Sequence, residues 1–185
     1  MKKYFKVTTK TIVATGLGAA IFMLLFMYVK IPSPVPNTSL QTAYGLSAFF
    51  ATLYGPIAGG LIAFIGHALS DAVQYGSPWW SWVIASGFAS FVFGFAYNNT
   101  GVEEGEFTKK DIIKFNTIQV IGNLIAWLLI APLLDIAIYA EPKNLVFTQG
   151  IIAVIMNSIT VGIIGTLLLK AYASTRTKKG SIAKK

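Results

Sequence analysis

Six stretches of near-continuous apolar residues run along the chain, cut by clusters of proline, glycine and charge. A helix needs ~20 residues to cross the hydrocarbon of a bilayer. The pattern predicts such helices over about 11–29, 40–54, 57–73, 79–97, 112–139 and 148–172. The second is short and ends at Gly55-Pro56, a strong break. Between the first two lies Ile31-Pro-Ser-Pro-Val-Pro-Asn37-Thr-Ser39, whose three prolines favour an extended polyproline conformation. Before the fifth, Thr108-Lys-Lys-Asp111 resembles a capping box with aspartate in place of glutamate. The expectation is an all-α integral membrane protein, with residues 1–185 forming one six-helix bundle.

Composition agrees. The chain is 55% hydrophobic and 12% charged, far from a soluble domain. It has no cysteine, so no disulfide frame and no thiolate metal site can form. The net charge of +8 would suit nucleic acid, but its distribution argues for topology instead. All Lys and Arg except Lys30 and Lys143 fall in the N-terminal tail, the 98–114 region and the tail around Lys170–Lys185. Lysine and arginine beside spans mark the cytoplasmic side. Both termini are therefore expected in the cytoplasm of a multi-pass plasma-membrane protein. The basic tail from 174 to 185 reads as an anchor on anionic headgroups. The basic lead-in to the first span resembles a signal peptide. No small-residue cleavage site follows it, so it reads as a retained span.

On this topology the proline-rich segment, the 74–80 loop and the 139–147 loop share the outer face. Ionisable groups inside a membrane usually mark a substrate or ion path. The lone histidine, His67, precedes Asp71 by one turn on the same helix face. The pair can bond internally, or both members can point at a polar ligand. Tyr75 and the run Trp79-Trp80-Ser81-Trp82 follow directly. These rings fan around a helix, so at least one turns inward, where a flat ring suits stacking on a heteroaromatic molecule. The rest are expected to form an interfacial belt. On the fifth helix Asn116, Gln119, Asn123 and Trp127 form one stripe. Such amides either join helices or meet a ligand, and Asn123 and Trp127 are the better ligand candidates. Asp135 is expected to cap its helix or meet solvent. Asn157, mid-depth on the sixth helix, either touches a ligand or packs internally. The first helix repeats small residues four apart in Ala14/Gly18, Thr15/Ala19 and Gly16/Ala20, a face for another helix within this chain or outside it.

Absences narrow the function further. There is no phosphate-binding G-x-x-x-x-G-K-[ST] motif, so the chain does not power itself with ATP. One histidine and scattered carboxylates make no metal constellation, and no cofactor is called for. Ser70 beside His67 and Asp71 is a weak basis for an intramembrane enzyme, and the chain reads as a non-enzyme. A stand-alone proton-coupled carrier using His67 and Asp71 as a relay is the alternative. No internal repeat of the kind alternating halves would leave is visible.

These stretches resemble the S components of energy-coupling factor (ECF) transporters. The resemblance rests on Ile31-Pro-Ser-Pro-Val-Pro-Asn37-Thr38, Gly55-Pro56-Ile-Ala-Gly59, Phe64-Ile-Gly-His67-Ala-Leu-Ser-Asp71 and Tyr75-Gly-Ser-Pro-Trp79-Trp80-Ser-Trp82. It is similar in particular to a subgroup linked to hydroxymethylpyrimidine or pyridoxine uptake. The resemblance implies a six-helix bundle that captures a vitamin or precursor from outside. It also implies docking on a membrane coupling (T) subunit with two cytoplasmic ATPases, and toppling in the membrane to release the ligand inward. The family's first-helix A-x-x-x-A pair meets the coupling subunit. Its nearest match here is Ala14/Gly18, with Thr15/Ala19 and Gly16/Ala20 in adjacent registers. The expected pocket places Asn37 in a closing loop and Trp79 or Trp82 against the ring. His67, Asp71, Asn123 and Asn157 would bond its edge, beside Tyr75 and Trp127.

Overall fold

The computed structural model describes residue 5 and residues 7–177. Lys2, Lys3, Lys6 and the basic residues from Lys178 onward, which carry much of the charge argument, lie outside the described residues.

The first helix, α1 (Thr9–Tyr28), opens on a reciprocal capping box. Thr11 N–H donates to Thr8 Oγ1 at 3.2 Å and Thr8 N–H to Thr11 Oγ1 at 3.2 Å. The proline-rich segment is not a polyproline strand. It folds into an antiparallel hairpin of β1 (Lys30–Pro32) and β2 (Ser39–Gln41), with Ile31 opposite Leu40. The prolines permit this because Pro32 ends its strand while Pro34 and Pro36 sit in the loop, where no ladder donor is needed. Within the loop Ser33 N–H donates to Thr38 O at 3.0 Å, and Asn37 takes the left-handed conformation at φ 57°. Asparagine tolerates that region better than most residues.

α2 (Ala43–Tyr54) has only 12 residues. At about 1.5 Å per residue it is too short to cross the hydrocarbon unaided. Gly55, at φ 93°, turns the chain directly into α3 (Pro56–Tyr75), whose proline occupies the first turn where its missing N–H costs nothing. α4 (Trp80–Phe93) tightens into a 3₁₀ turn over Gly94–Ala96. The capping box predicted at Thr108 is present: Thr108 N–H donates to Asp111 Oδ2 at 2.9 Å, opening α5 (Lys109–Ile125). α5 passes through a π-helical turn, Ala126–Ile130, into α6 (Ala131–Tyr139). Pro132 explains the turn, since its ring displaces the carbonyl one turn back and removes a backbone donor. α7 (Lys143–Thr160) likewise continues through π-helical Val161–Gly165 into α8 (Thr166–Ser174).

Among the described residues, four helical stretches are long and apolar enough to cross a membrane: Thr9–Tyr28, Pro56–Tyr75, Lys109–Tyr139 and Lys143–Ser174. The stretch Trp80–Ala96 is apolar but shorter. Large apolar side chains such as Ile12, Leu17, Val73, Leu133 and Leu167 are exposed around the outside, as hydrocarbon contact allows. Inside, small residues set the spacing. A Cβ on Gly66 of α3 would sit 2.9 Å from Ala19 O of α1, and one on Gly18 would sit 2.7 Å from Ile62 Cδ1. The aromatic core of Phe22, Phe26, Tyr44, Phe93, Phe115 and Trp127 fills the space this leaves.

The tightest of the glycine contacts is at Gly150 of α7, where a Cβ would lie 2.1 Å from Trp127 O in the π-helical turn. Gly150→Ala is expected to cost about 1–3 kcal/mol or more by forcing the rods apart. Gly16→Ala, mid-helix with nothing within 4 Å, is expected to stabilise by up to about 1 kcal/mol. Thermal unfolding of the two variants in detergent, followed by tryptophan fluorescence, checks this.

Candidate functional site

A cavity of about 650 Å³ lies under the hairpin, between α2, α3, α4, α6 and α7. It is at the opposite end from the Arg176–Glu103 ion pair (3.0 Å) and the Lys114 contact with Asn99 O (3.3 Å), which gather the basic end of the bundle. The lid is held from below, because Gln149 of α7 donates to Pro36 O at 3.0 Å. At its side Lys30 Nζ donates to Gln74 Oε1 at 3.3 Å.

Two carboxylates fix the tryptophan run. Asp135, 2% exposed, accepts from Trp79 Nε1 (2.6 Å), from Trp82 Nε1 (2.8 Å) and from the Ser81 hydroxyl. It therefore neither caps a helix nor meets solvent, as the sequence had suggested. A carboxylate with three donors converging on it is satisfied even where water is absent. Asp71 Oδ2 accepts the backbone N–H of Trp79 at 3.0 Å, which ties the start of α4 to the end of α3. The result is an aromatic wall. Trp82 stacks on Trp127 with centroids 5.6 Å apart and planes at 23°, and Tyr44 meets Trp127 edge-on at 5.4 Å. Trp79 lies 4.5 Å from the Tyr139 ring, while Trp80 points outward to Phe64.

His67 and Asp71 do meet, with Nε2 to Oδ1 at 3.4 Å. The contact is one step of a longer chain. His67 Nδ1 lies 2.6 Å from Ser86 Oγ, which lies 2.6 Å from Tyr44 OH. An imidazole carrying its proton on Nε2 satisfies every member, with Tyr44 donating to Ser86 and Ser86 to His67. The chain links α2, α3 and α4. Ser70 is not part of it, since it accepts from Gln74 Nε2 at 2.8 Å.

The amide stripe on α5 is a second chain. Asn116 Nδ2 donates to Thr166 Oγ1 (3.2 Å), Gln119 Nε2 to Asn116 Oδ1 (3.3 Å) and Asn123 Nδ2 to Gln119 Oε1 (2.8 Å). It ends where Trp127 Nε1 donates to Asn123 Oδ1 at 2.8 Å. Asn123 is consequently not a cavity residue. It is fully buried with both ends of its amide engaged, one of them accepting from Trp127.

The other expected residues line the cavity: Asn37, His67, Asp71, Tyr75, Trp79, Trp82, Trp127 and Asn157. Asn37 and Tyr75 are exposed at its rim, whereas Asn157 is 3% exposed at its floor. Gln41, Tyr44, Asp135, Gln149 and Glu141 also line it and were not anticipated. Asp135 carried a usable signal as a carboxylate within an apolar run. Gln41 carried none, because its place follows from the hairpin. The small residues of α1 divide. Ala14, Gly18 and Ala19 are buried within the chain, and Thr15 bonds Thr11 O at 2.8 Å. Gly16 and Ala20 remain exposed.

Asp135→Ala strands two indole N–H groups and a hydroxyl, at a cost of about 1–3 kcal/mol for each group left buried and unpaired. Trp82→Phe, which removes one of these donors, is expected to cost less in the Asp135→Ala background than alone. A double-mutant cycle on thermal stability reads the coupling directly.

Comparison with known proteins gives one consistent result. A family described as "ECF-type riboflavin transporter, S component" matches residues 6–174. A "UPF0397 protein" of Enterococcus faecalis is 54% identical over 179 residues, covering 97% of this chain and 98% of its own length. A relative of the same description from an Exiguobacterium species is 57% identical over 175 residues, covering 95% and 96%. One from Streptococcus gordonii is 53% identical over 186 residues, covering 100% of each chain.

Proposed function

Since the chain belongs to the ECF-type riboflavin transporter S component family, we propose that it is the substrate-capturing membrane subunit of an ECF importer for a small heteroaromatic vitamin or precursor, such as hydroxymethylpyrimidine or pyridoxine. The supporting observation is the cavity. It is concave, roofed by the proline-rich hairpin, and combines stacked rings with many convergent polar side chains. Its volume of about 650 Å³ suits a solute of this class, and a flat ring fits against the Trp82–Trp127 stack.

In this reading six helical segments cross the membrane, with α2 completed by the hairpin and with both termini in the cytoplasm. The ligand enters from outside beneath Asn37, and His67, Asp71 and Asn157 bond its edge. The bundle contains no nucleotide-binding motif, so it borrows its energy from a membrane T subunit with two ATPases. It delivers the ligand by toppling while docked on them. The exposed small face of α1, at Gly16 and Ala20, is the register left open for that contact.

The buried Tyr44–Ser86–His67–Asp71 chain would also serve a stand-alone proton-coupled carrier. Reconstitution separates the two readings. Proteoliposomes holding the chain alone are expected to show no uptake of radiolabelled hydroxymethylpyrimidine or pyridoxine under a proton gradient. Uptake is expected once the T subunit and ATPases are added with ATP. Uptake by the chain alone would support the carrier. Native mass spectrometry of the purified chain is expected to find a vitamin-sized heteroaromatic molecule retained.

A further inference from the structure

A second groove, of about 360 Å³, lies at the far end of the bundle from the hairpin, between the start of α1 and the end of α2. Phe49, the neighbour of its lining residue Phe50, meets the Tyr172 ring at 5.9 Å. Tyr172 in turn donates to Glu103 at 3.3 Å, so the groove belongs to the basic end.

The groove is polar at its mouth and apolar along its length. α1 leads away from the basic end and α2 returns to it, so Thr9, Lys10 and Tyr54 share the mouth. Beyond them Val13, Ala14, Leu17 and Phe50 continue as apolar wall. The rise from Thr9 to Leu17 is about 12 Å, most of the ~15 Å of hydrocarbon in one leaflet. Val13 is 55% exposed and Leu17 60%, while Ala14 is buried and forms the floor. Phe50 and Tyr54 stack with centroids 6.0 Å apart and planes at 24°, which makes the opposite wall flat.

The donors at the mouth are uncommitted. Lys10 belongs to neither of the ion pairs formed among the described residues. The hydroxyls of Thr9 and Tyr54 make no hydrogen bond among them either. The first turn of α1 carries no acidic residue, so the positive end of its dipole adds to the charge of Lys10. One cation and two hydroxyls above an apolar slot are complementary to a phosphate above an acyl chain.

We propose that this groove holds an anionic phospholipid, its chain against Phe50 and Leu17 and its phosphate on Lys10, Tyr54 and Thr9. A zwitterionic lipid fits the slot but brings no net charge to Lys10 and the helix end. The exposed small positions Gly16 and Ala20 lie on the adjoining flank of α1, so the lipid borders the face left open for another helix. Lipid capture here is independent of what the cavity under the hairpin takes up.

The test is native mass spectrometry of the detergent-purified, delipidated full chain, titrated with palmitoyl-oleoyl phosphatidylglycerol or phosphatidylcholine. One phosphatidylglycerol is expected to be retained per chain, about fivefold more tightly than phosphatidylcholine, the worth of one lysine at an anionic surface. Lys10→Gln is expected to bring the two lipids to equal affinity. Lys109→Gln, which removes a cation of the same end outside the groove, is expected to keep the preference. Val13→Trp fills the slot from an exposed position and is expected to abolish retention. Ile12→Trp, at a position 63% exposed and outside the groove, is expected to leave retention unchanged, which separates a filled slot from a damaged helix. Equal retention of the two lipids by the unaltered chain overturns the proposal, as does a preference that survives Lys10→Gln. Retention reduced alike by Val13→Trp and Ile12→Trp also overturns it. Paired copies of the chain that Val13→Trp breaks would give the groove to a second copy. A thiol at Val13→Cys shielded by the coupling subunit but not by phosphatidylglycerol would give it to a partner helix. Either result overturns the lipid.

Discussion

A buried polar group inside hydrocarbon has no water to turn to, and each one left unpaired costs several kcal/mol. That constraint organises this bundle more than any single apolar contact does. Asp135 shows how it is met. Three donors from a single turn of chain converge on one carboxylate, and in converging they lock the start of α4 against α6. The same rule produces the amide chain from Thr166 to Trp127 and the hydroxyl–imidazole–carboxylate chain from Tyr44 to Asp71. The amide chain runs from Thr166 to the cavity at Trp127, whereas Tyr44, His67 and Asp71 of the other chain all line it. The rings of the wall are thus held by Asp71 and Asp135, which line the cavity themselves, and by Asn123, which does not.

Holding a wall this way removes its own donors from use. An indole that anchors itself through its N–H presents only its face, so Trp82 and Trp127 offer stacking without directional bonding. Beside these faces the cavity is lined by the carboxylates of Asp71, Asp135 and Glu141 and by the hydroxyls and amides of Asn37, Ser39, Tyr75 and Ser77.

Much of this was legible in the sequence. Apolar runs over 11–29, 57–73 and 112–139 overlap the helical stretches Thr9–Tyr28, Pro56–Tyr75 and Lys109–Tyr139, and the Thr108–Asp111 box marked the start of α5. The stripe Asn116–Trp127 was readable because one face of a helix is a local property. What resisted reading was pairing between distant segments. The prolines of the 31–39 segment pointed to an isolated extended strand, whereas pairing of Ile31 with Leu40 makes a hairpin and brings Gln41 to the cavity. Asn123 looked like a ligand group because its partner, Trp127, lies on the same helix and could have faced either way. The burial of Asp135 depended on indoles more than fifty residues earlier. The small face of α1 was evident, but only the crossing of α3 revealed that Gly18 and Ala19 are already used within the chain.

The brevity of α2 has a mechanical consequence. Twelve residues give about 18 Å of helix where the hydrocarbon is about 30 Å deep, so one flank of the bundle is thin. The hairpin leads directly into this short helix, and its Ile31 is 63% exposed. A bilayer accommodates such a flank by thinning locally or by letting the whole body tilt. Membrane thickness therefore bears on the hairpin that roofs the cavity, through the short helix that follows it.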